Sequence, residues 1–190
     1  MDIQKIGVVG GGQMGSGIAQ VCAQAGYSVV LVDVSANALS RAHDTISRSL
    51  ARLVKKAALD SQQADATLER ISSHTELGAL ADCQLVIEAA TENWAIKAEL
   101  FGKIAEVVSA ETILASNTSS ISLTRLAATV AQPQRVIGMH FMNPVPVMPL
   151  VEIIRARQTD DATFAAIRAL SERLGKTPVS VNDAPGFVSN

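Results

Sequence analysis

Short, continuously apolar runs rich in β-branched residues recur along the chain. They are Ile6 to Val9, Val29 to Val32, Leu85 to Ala89, Ile113 to Ala115, Val136 to Met139, Leu150 to Ile154 and Val179 to Val181. Strands buried on both faces of a parallel sheet read this way, because neither face can alternate to polar residues. Between the first two lies Met14 to Gly26, rich in Ala, Gln, Ile and Val, with Gly26 placed as a helix C-cap. Helical patterns also cover Ala95 to Val108, Ser122 to Ala131 and Asp160 to Leu174. This alternation predicts an α/β fold with a doubly wound, mostly parallel sheet.

One stretch breaks the rhythm. From Val34 to Gln84 about fifty residues stand where a single crossover helix would do. Leu39, Ala42, Ile46, Leu50, Leu53 and Ala57 are spaced three or four apart, which predicts a long helix. Asp60 to Ile71 suggests a second, antiparallel helix, so the insertion reads as a helical hairpin projecting from the sheet. Arg41, Arg48, Arg52 and Lys55 fall on one face of the long helix, with Lys56 beside them. A run of this kind is ordinarily a solvated face.

Composition narrows the function classes. The 190 residues are 48% hydrophobic and 18% charged, with a formal net charge of −2. That describes a core-forming protein with no global field for nucleic acid or an anionic membrane. Six aromatic residues are too few for a base-stacking platform. Met1 leads almost directly into a strand without a signal-peptide layout, and no apolar run approaches a membrane span. Cys22 and Cys83 sit in apolar surroundings and make neither a disulfide framework nor a metal site. A cytoplasmic enzyme is the expectation, with no metal.

Chemistry begins at Gly10-Gly11-Gly12-Gln13-Met14-Gly15. The spacing Gly-x-Gly-x-x-Gly is weak alone, but here it follows a strand and opens a helix. Asp33 ends the next strand, 18 residues after Gly15. Gly10 allows the turn, Gly12 lets the backbone approach a pyrophosphate, and Gly15 lets helix and strand pack closely. The helix N-terminus offers N–H groups to phosphate, and Asp33 can accept ribose hydroxyls while repelling a 2′-phosphate. The expected fold is therefore Rossmann-type, and the expected cofactor is NAD.

His140 follows an apolar run, at the carboxyl end of a predicted strand, where open α/β sheets place ligands. Glu152, twelve residues on, interrupts an otherwise apolar strand. A carboxylate there is costly unless paired, and an imidazole partner would make a general base. Taken singly, each also fits a satisfied core residue. Ser119 and Asn117 follow another predicted strand and fit helix capping equally well. His43 and His74 read as surface residues.

These segments together resemble the NAD-binding domain of the L-3-hydroxyacyl-CoA dehydrogenase family, its 3-hydroxybutyryl-CoA members in particular. The resemblance runs through the Val8-Val9-Gly10 to Gly15 opening, Ala115-Ser116-Asn117-Thr118-Ser119-Ser120, His140-Phe141-Met142-Asn143-Pro144, Val151-Glu152 and Asp183-Ala184-Pro185-Gly186-Phe187-Val188. It implies oxidation of (S)-3-hydroxyacyl-CoA to 3-oxoacyl-CoA with NAD, on a short acyl chain. His140 resembles the family's base, Glu152 its orienting partner, and Ser119 and Asn143 the groups around the reacting oxygen. Glu92, Lys97 and Asn117 match residues lining the ribose and nicotinamide, beside Gly10, Gly12, Gln13, Met14, Gly15 and Asp33. Asn190 matches a further active-site asparagine. The basic helix face gains a partner in coenzyme A, with Lys56 and Arg52 as candidates and the individual contact left open.

The resemblance also divides the chain. Residues 1–183 would be the NAD-binding and catalytic domain, and 184–190 the start of a helical domain not contained in these residues. That domain, or a homodimer partner, would close the substrate pocket. The alternative is an NAD-binding module without turnover by itself. A 3-hydroxyacid dehydrogenase acting without CoA is disfavoured, because such enzymes typically use a lysine base.

Overall fold

In the computed structural model, which describes residues 2–183, eight strands form a single sheet. They are β1 (Lys5–Val9), β2 (Ser28–Val32), β3 (Ile71–His74), β4 (Leu85–Glu88), β5 (Ile113–Ser116), β6 (Val136–Phe141), β7 (Leu150–Arg155) and β8 (Thr177–Asn182). Their order is β3-β2-β1-β4-β5-β6-β7-β8. Neighbours pair in parallel except β6 with β7, which are antiparallel. The chain winds outward from β1 in one direction and from β4 in the other. The crevice between these two strands is where such sheets bind ligands.

The helices are α1 (Gln13–Gln24), α2 (Ala36–Lys55), α3 (Ser61–Glu69), α4 (Trp94–Val107), α5 (Leu123–Ala127) and α6 (Asp161–Arg173). Alternate strand residues feed two cores. Val8, Leu31, Ile87, Ala115, Met139 and Ile153 pack with α1, α2 and α6 on one side. Val30, Val86, Leu114, Val136 and Ile154 pack with Phe101 and Ile104 of α4 and Leu123 and Leu126 of α5 on the other. Every residue of β4, β5 and β6 is buried, which is why these strands read as unbroken apolar runs. No helix among the described residues is long and apolar enough to cross a membrane.

Three local expectations change. The insertion does not simply project: Leu39, Ala42, Ile46 and Leu50 of α2 are buried in the same core as α1. The apolar stripe from Leu39 to Leu50 has to be covered, and α1 covers it. After a turn through Ala57 (φ +54°), α3, capped by Asp60 and Gln63, ends at Glu69, and Ile71, expected to be the last residue of this helix, is instead the first of β3. That edge strand, which includes His74, has three exposed residues of four and so gives no hydrophobic signal. Finally, α5 stops at Ala127, short of the expected Ala131.

Candidate active site

The carboxyl ends of β1, β4, β5 and β6 meet at one edge of the sheet, and each delivers part of the site. After β1, Gly10 turns the chain at φ +108°, a left-handed conformation open to glycine, and donates its N–H to Val32 O at 2.8 Å. Helix α1 then starts without a side-chain cap at Gly12, leaving its first N–H groups for an incoming acceptor. A Cβ on Gly15 would stand 1.7 Å from Gly10 O, so only glycine lets the helix sit this close to the loop. A Cβ on Gly12 would meet nothing within 4 Å; the space above the helix start is open. These features fit the pyrophosphate of a dinucleotide.

Asp33 fixes this loop as well as lining it. Its Oδ2 accepts from Gly11 N at 2.7 Å and its Oδ1 from Ser35 N at 2.8 Å, so the carboxylate is held rigidly at the end of β2. It borders two hollows. One runs past Gly10, Gly12 and Gln13 toward Arg41. The other, of about 500 Å³, is walled by Val34, Leu77, Ile96 and Leu100, an apolar slot of a kind suited to an adenine ring. Met14 is half-buried against the core, so what it can offer a phosphate is its backbone N–H.

A buried ion pair lies under the β4 and β5 loops. Glu88 and Lys97 are 0% and 1% exposed, and the Lys97 ammonium donates to Glu88 Oε2 and, at 3.2 Å, to Ser116 Oγ. Ser116 Oγ donates to the same carboxylate at 2.9 Å, while Glu88 Oε1 accepts from Ala90 N at 2.8 Å and Thr91 N at 3.3 Å. Lys97 is thus beneath the crevice rather than in its wall. Glu92 spans the two loops, accepting from Thr118 Oγ1 at 2.7 Å and from Ser119 N at 2.9 Å. Asn117 Oδ1 accepts from Phe141 N at 2.9 Å, which ties the β5 loop to β6. Burial alone would raise the Asp183 carboxyl, but bonds from Thr124, Ser122 and Leu123 hold it below the usual carboxylate range. Those bonds fix the start of α5 just after the Ser119 loop.

His140 and Glu152 face each other across the antiparallel β6–β7 ladder. His140 Nδ1 lies 2.8 Å from Glu152 Oε2, with the residues 8% and 1% exposed. With the carboxylate as acceptor, Nδ1 carries the proton and Nε2 the lone pair, the tautomer a general base needs. One loop further on, Asn143 joins a cleft of about 450 Å³ between the 143–147 segment and helices α1 and α2. Arg52 and Lys56 line the same cleft, so the structure brings these two basic residues and Asn143 together on one groove, while Arg41 borders the hollow beside Asp33 instead. Asn190, Pro185, Phe187 and Val188 lie outside the described residues. Sequence reasoning passed over Glu88, although its signal is the one that drew attention to Glu152, a carboxylate in an apolar strand.

Fold and sheet edge together define the class: a dinucleotide-binding domain that presents a carboxylate-oriented histidine on the same sheet edge as its glycine loop. Residues 5–184 match the model of the 3-hydroxyacyl-CoA dehydrogenase NAD-binding domain family. The chain belongs to this family. It is 51% identical over 98% of its length to a probable 3-hydroxybutyryl-CoA dehydrogenase of Deinococcus radiodurans. It is 50% identical over 99% of its length to a 3-hydroxybutyryl-CoA dehydrogenase of Bradyrhizobium diazoefficiens. The chain spans 66% and 64% of those two proteins. The crystal structure of (S)-3-hydroxybutyryl-CoA dehydrogenase from Ralstonia eutropha superposes with a TM-score of 0.98 at 49% identity, covering all of this chain and 67% of that one.

Proposed function

We propose that the chain carries the NAD-binding and catalytic part of an enzyme that reversibly oxidises (S)-3-hydroxyacyl-CoA to 3-oxoacyl-CoA. The observation that carries the reading is the His140–Glu152 pair, near the carboxyl end of β6. In the oxidation, His140 Nε2 takes the proton of the 3-hydroxyl group as the C3–H bond breaks and the carbonyl forms. NAD, when bound, accepts the hydride. Glu152 keeps the imidazole in the required tautomer and stabilises the imidazolium that results. Ser119 and Asn143 position the reacting oxygen, with Glu92 and Asn117 holding the loops against the nicotinamide end. Gly10, Gly12, Gln13, Met14 and Gly15 receive the pyrophosphate, and Asp33 the adenosine ribose. Lys97 supports this wall through Glu88.

The groove lined by Arg52, Lys56 and Asn143 is read as the path of the CoA arm, its phosphates at the basic end. A short acyl chain is supported by relatives named for the 3-hydroxybutyryl ester. A helical domain or a second subunit closing the acyl side belongs to the same proposal, supported by the fraction of each relative that this chain spans. So does action in the cytoplasm, with which two buried free thiols agree. A nucleotide-binding module without turnover is not favoured, since relatives near 50% identity carry dehydrogenase names.

The test is reduction of acetoacetyl-CoA followed by loss of NADH absorbance, with free acetoacetate and NADPH as controls. Turnover requiring both the CoA ester and NADH is expected. Equal rates with free acetoacetate would overturn the substrate assignment.

A further inference from the structure

Lys176 sits in the turn between α6 and β8 and is 9% exposed. Its ammonium donates to Val145 O at 2.6 Å and to Met148 O at 2.9 Å. No carboxylate among the described residues pairs with it. Burial pushes this lysine below its usual range, the neighbouring Cys22 thiol opposing in part. A buried ammonium without an anion is an expensive way to fill space. What it supplies is several donors on one atom, able to gather carbonyls that no strand satisfies.

Those carbonyls belong to the loop between β6 and β7, one wall of the basic cleft. At its far end Thr177 N donates to Pro149 O at 2.7 Å. Val147 N and Met148 N both turn back onto Pro144 O at 2.9 Å, and Asn143, Pro144, Val147, Met148 and Pro149 are exposed. Its fixed point is Val145, 2% exposed, pressed so close to α1 that a Cβ on Gly17 would lie 2.8 Å from Val145 Cβ. Lys176 grips the carbonyl of that same residue. The clamp therefore sets where Asn143 stands relative to Arg52 and Lys56 across the cleft.

We propose that Lys176 is a positioning residue for the acyl-CoA substrate, clamping the 143–148 loop so that the cleft keeps its width and Asn143 its place. The substrate half of this inference rests on the function proposed above; the clamp itself does not. Lys176→Met removes every donor, and Lys176→Gln retains an N–H pair on a shorter arm, which keeps the test open should the first variant fold poorly.

Three measurements on the 190-residue chain decide it. Amide hydrogen exchange at Val147 and Met148 should quicken by about tenfold or more in Lys176→Met, with β1, β4 and β5 amides unchanged, since the loss is local. The dissociation constant for acetoacetyl-CoA should rise about tenfold while that for NADH stays within about twofold, a split that general destabilisation would not produce. Lys176→Gln should fall between Lys176→Met and the parent chain on both counts. Unchanged exchange at the loop would overturn the clamp. Faster exchange with unchanged acetoacetyl-CoA affinity would overturn the positioning role. If the parent chain binds NADH but not acetoacetyl-CoA, the reading of the Arg52, Lys56 and Asn143 groove as the CoA path fails and takes the substrate role with it, while the exchange arm still decides the clamp.

Discussion

His140 and Glu152 are twelve residues apart in the chain and directly opposite each other in the antiparallel pairing of β6 with β7, Nδ1 2.8 Å from Oε2. The loop that reverses the chain between them is also the one that carries Asn143. The proposed base, its orienting carboxylate and one wall of the proposed substrate groove therefore come from one continuous segment, whose pairing is set by a strand register. A slip of one residue would turn Glu152 to the opposite face of the sheet.

That arrangement makes the dyad the first thing to test. His140→Ala should lower kcat by about a thousandfold or more, with NADH affinity unchanged, because a positioned general base contributes roughly that much. Glu152→Gln should cost less, roughly ten- to hundredfold, because an amide oxygen can still accept from Nδ1 but cannot stabilise the imidazolium as a carboxylate does. Steady-state kinetics with a parallel NADH titration measure both. Near-normal turnover in His140→Ala would exclude it as the base.

The glycine loop offers a contrast between two substitutions three residues apart. Gly15→Ala drives a Cβ against Gly10 O, 1.7 Å away, so the helix must back off and stability should fall by about 1–3 kcal/mol. Gly12→Ala meets nothing in the protein and should leave the melting temperature unchanged, yet it fills the space a pyrophosphate needs. Thermal melts with and without NADH separate the two. Gly12→Ala should lose the ligand-induced shift while keeping the apo value.

Asp33 should make NADH bind at least about tenfold more tightly than NADPH. Because both its oxygens hold backbone N–H groups, Asp33→Ala should erode that preference and also loosen the loop. Asp33→Asn retains one of those acceptors, so it should lose selectivity with less loss of stability. Paired titrations with the two reduced cofactors, alongside melts, would read both effects.

The Glu88–Lys97 pair should behave as a unit. Glu88→Ala strands a buried ammonium and should cost about 3–5 kcal/mol in urea unfolding. Replacing both residues, as Glu88→Gln with Lys97→Met, removes the uncompensated charge and should recover most of that loss. Additive losses in the double variant would mean that the two groups are not coupled.

Much of this protein was legible in its residues. Strands β1, β2, β4, β5 and β6 are buried on both sides and could not be written without apolar runs, and the glycine spacing with Asp33 follows from sterics that act within one βαβ unit. His140 and Glu152 stood out because a polar group in an apolar strand has to be explained. Beyond that reach, β3 went unseen because an edge strand with its side chains in solvent needs no hydrophobic pattern; its partner, β2, selects it. Strand direction at β6–β7 is not carried by composition, which parallel and antiparallel buried strands share, but by the link from Phe141 to Leu150, too short for a parallel crossover. Nothing local distinguishes Lys97 or Lys176 from a surface lysine. Their burial comes from the shapes of segments far away in sequence, Glu88 and Ser116 for one and the carbonyls of Val145 and Met148 for the other. A charge can be kept in such a place only when its partners are already there, and those partners meet only in the folded sheet.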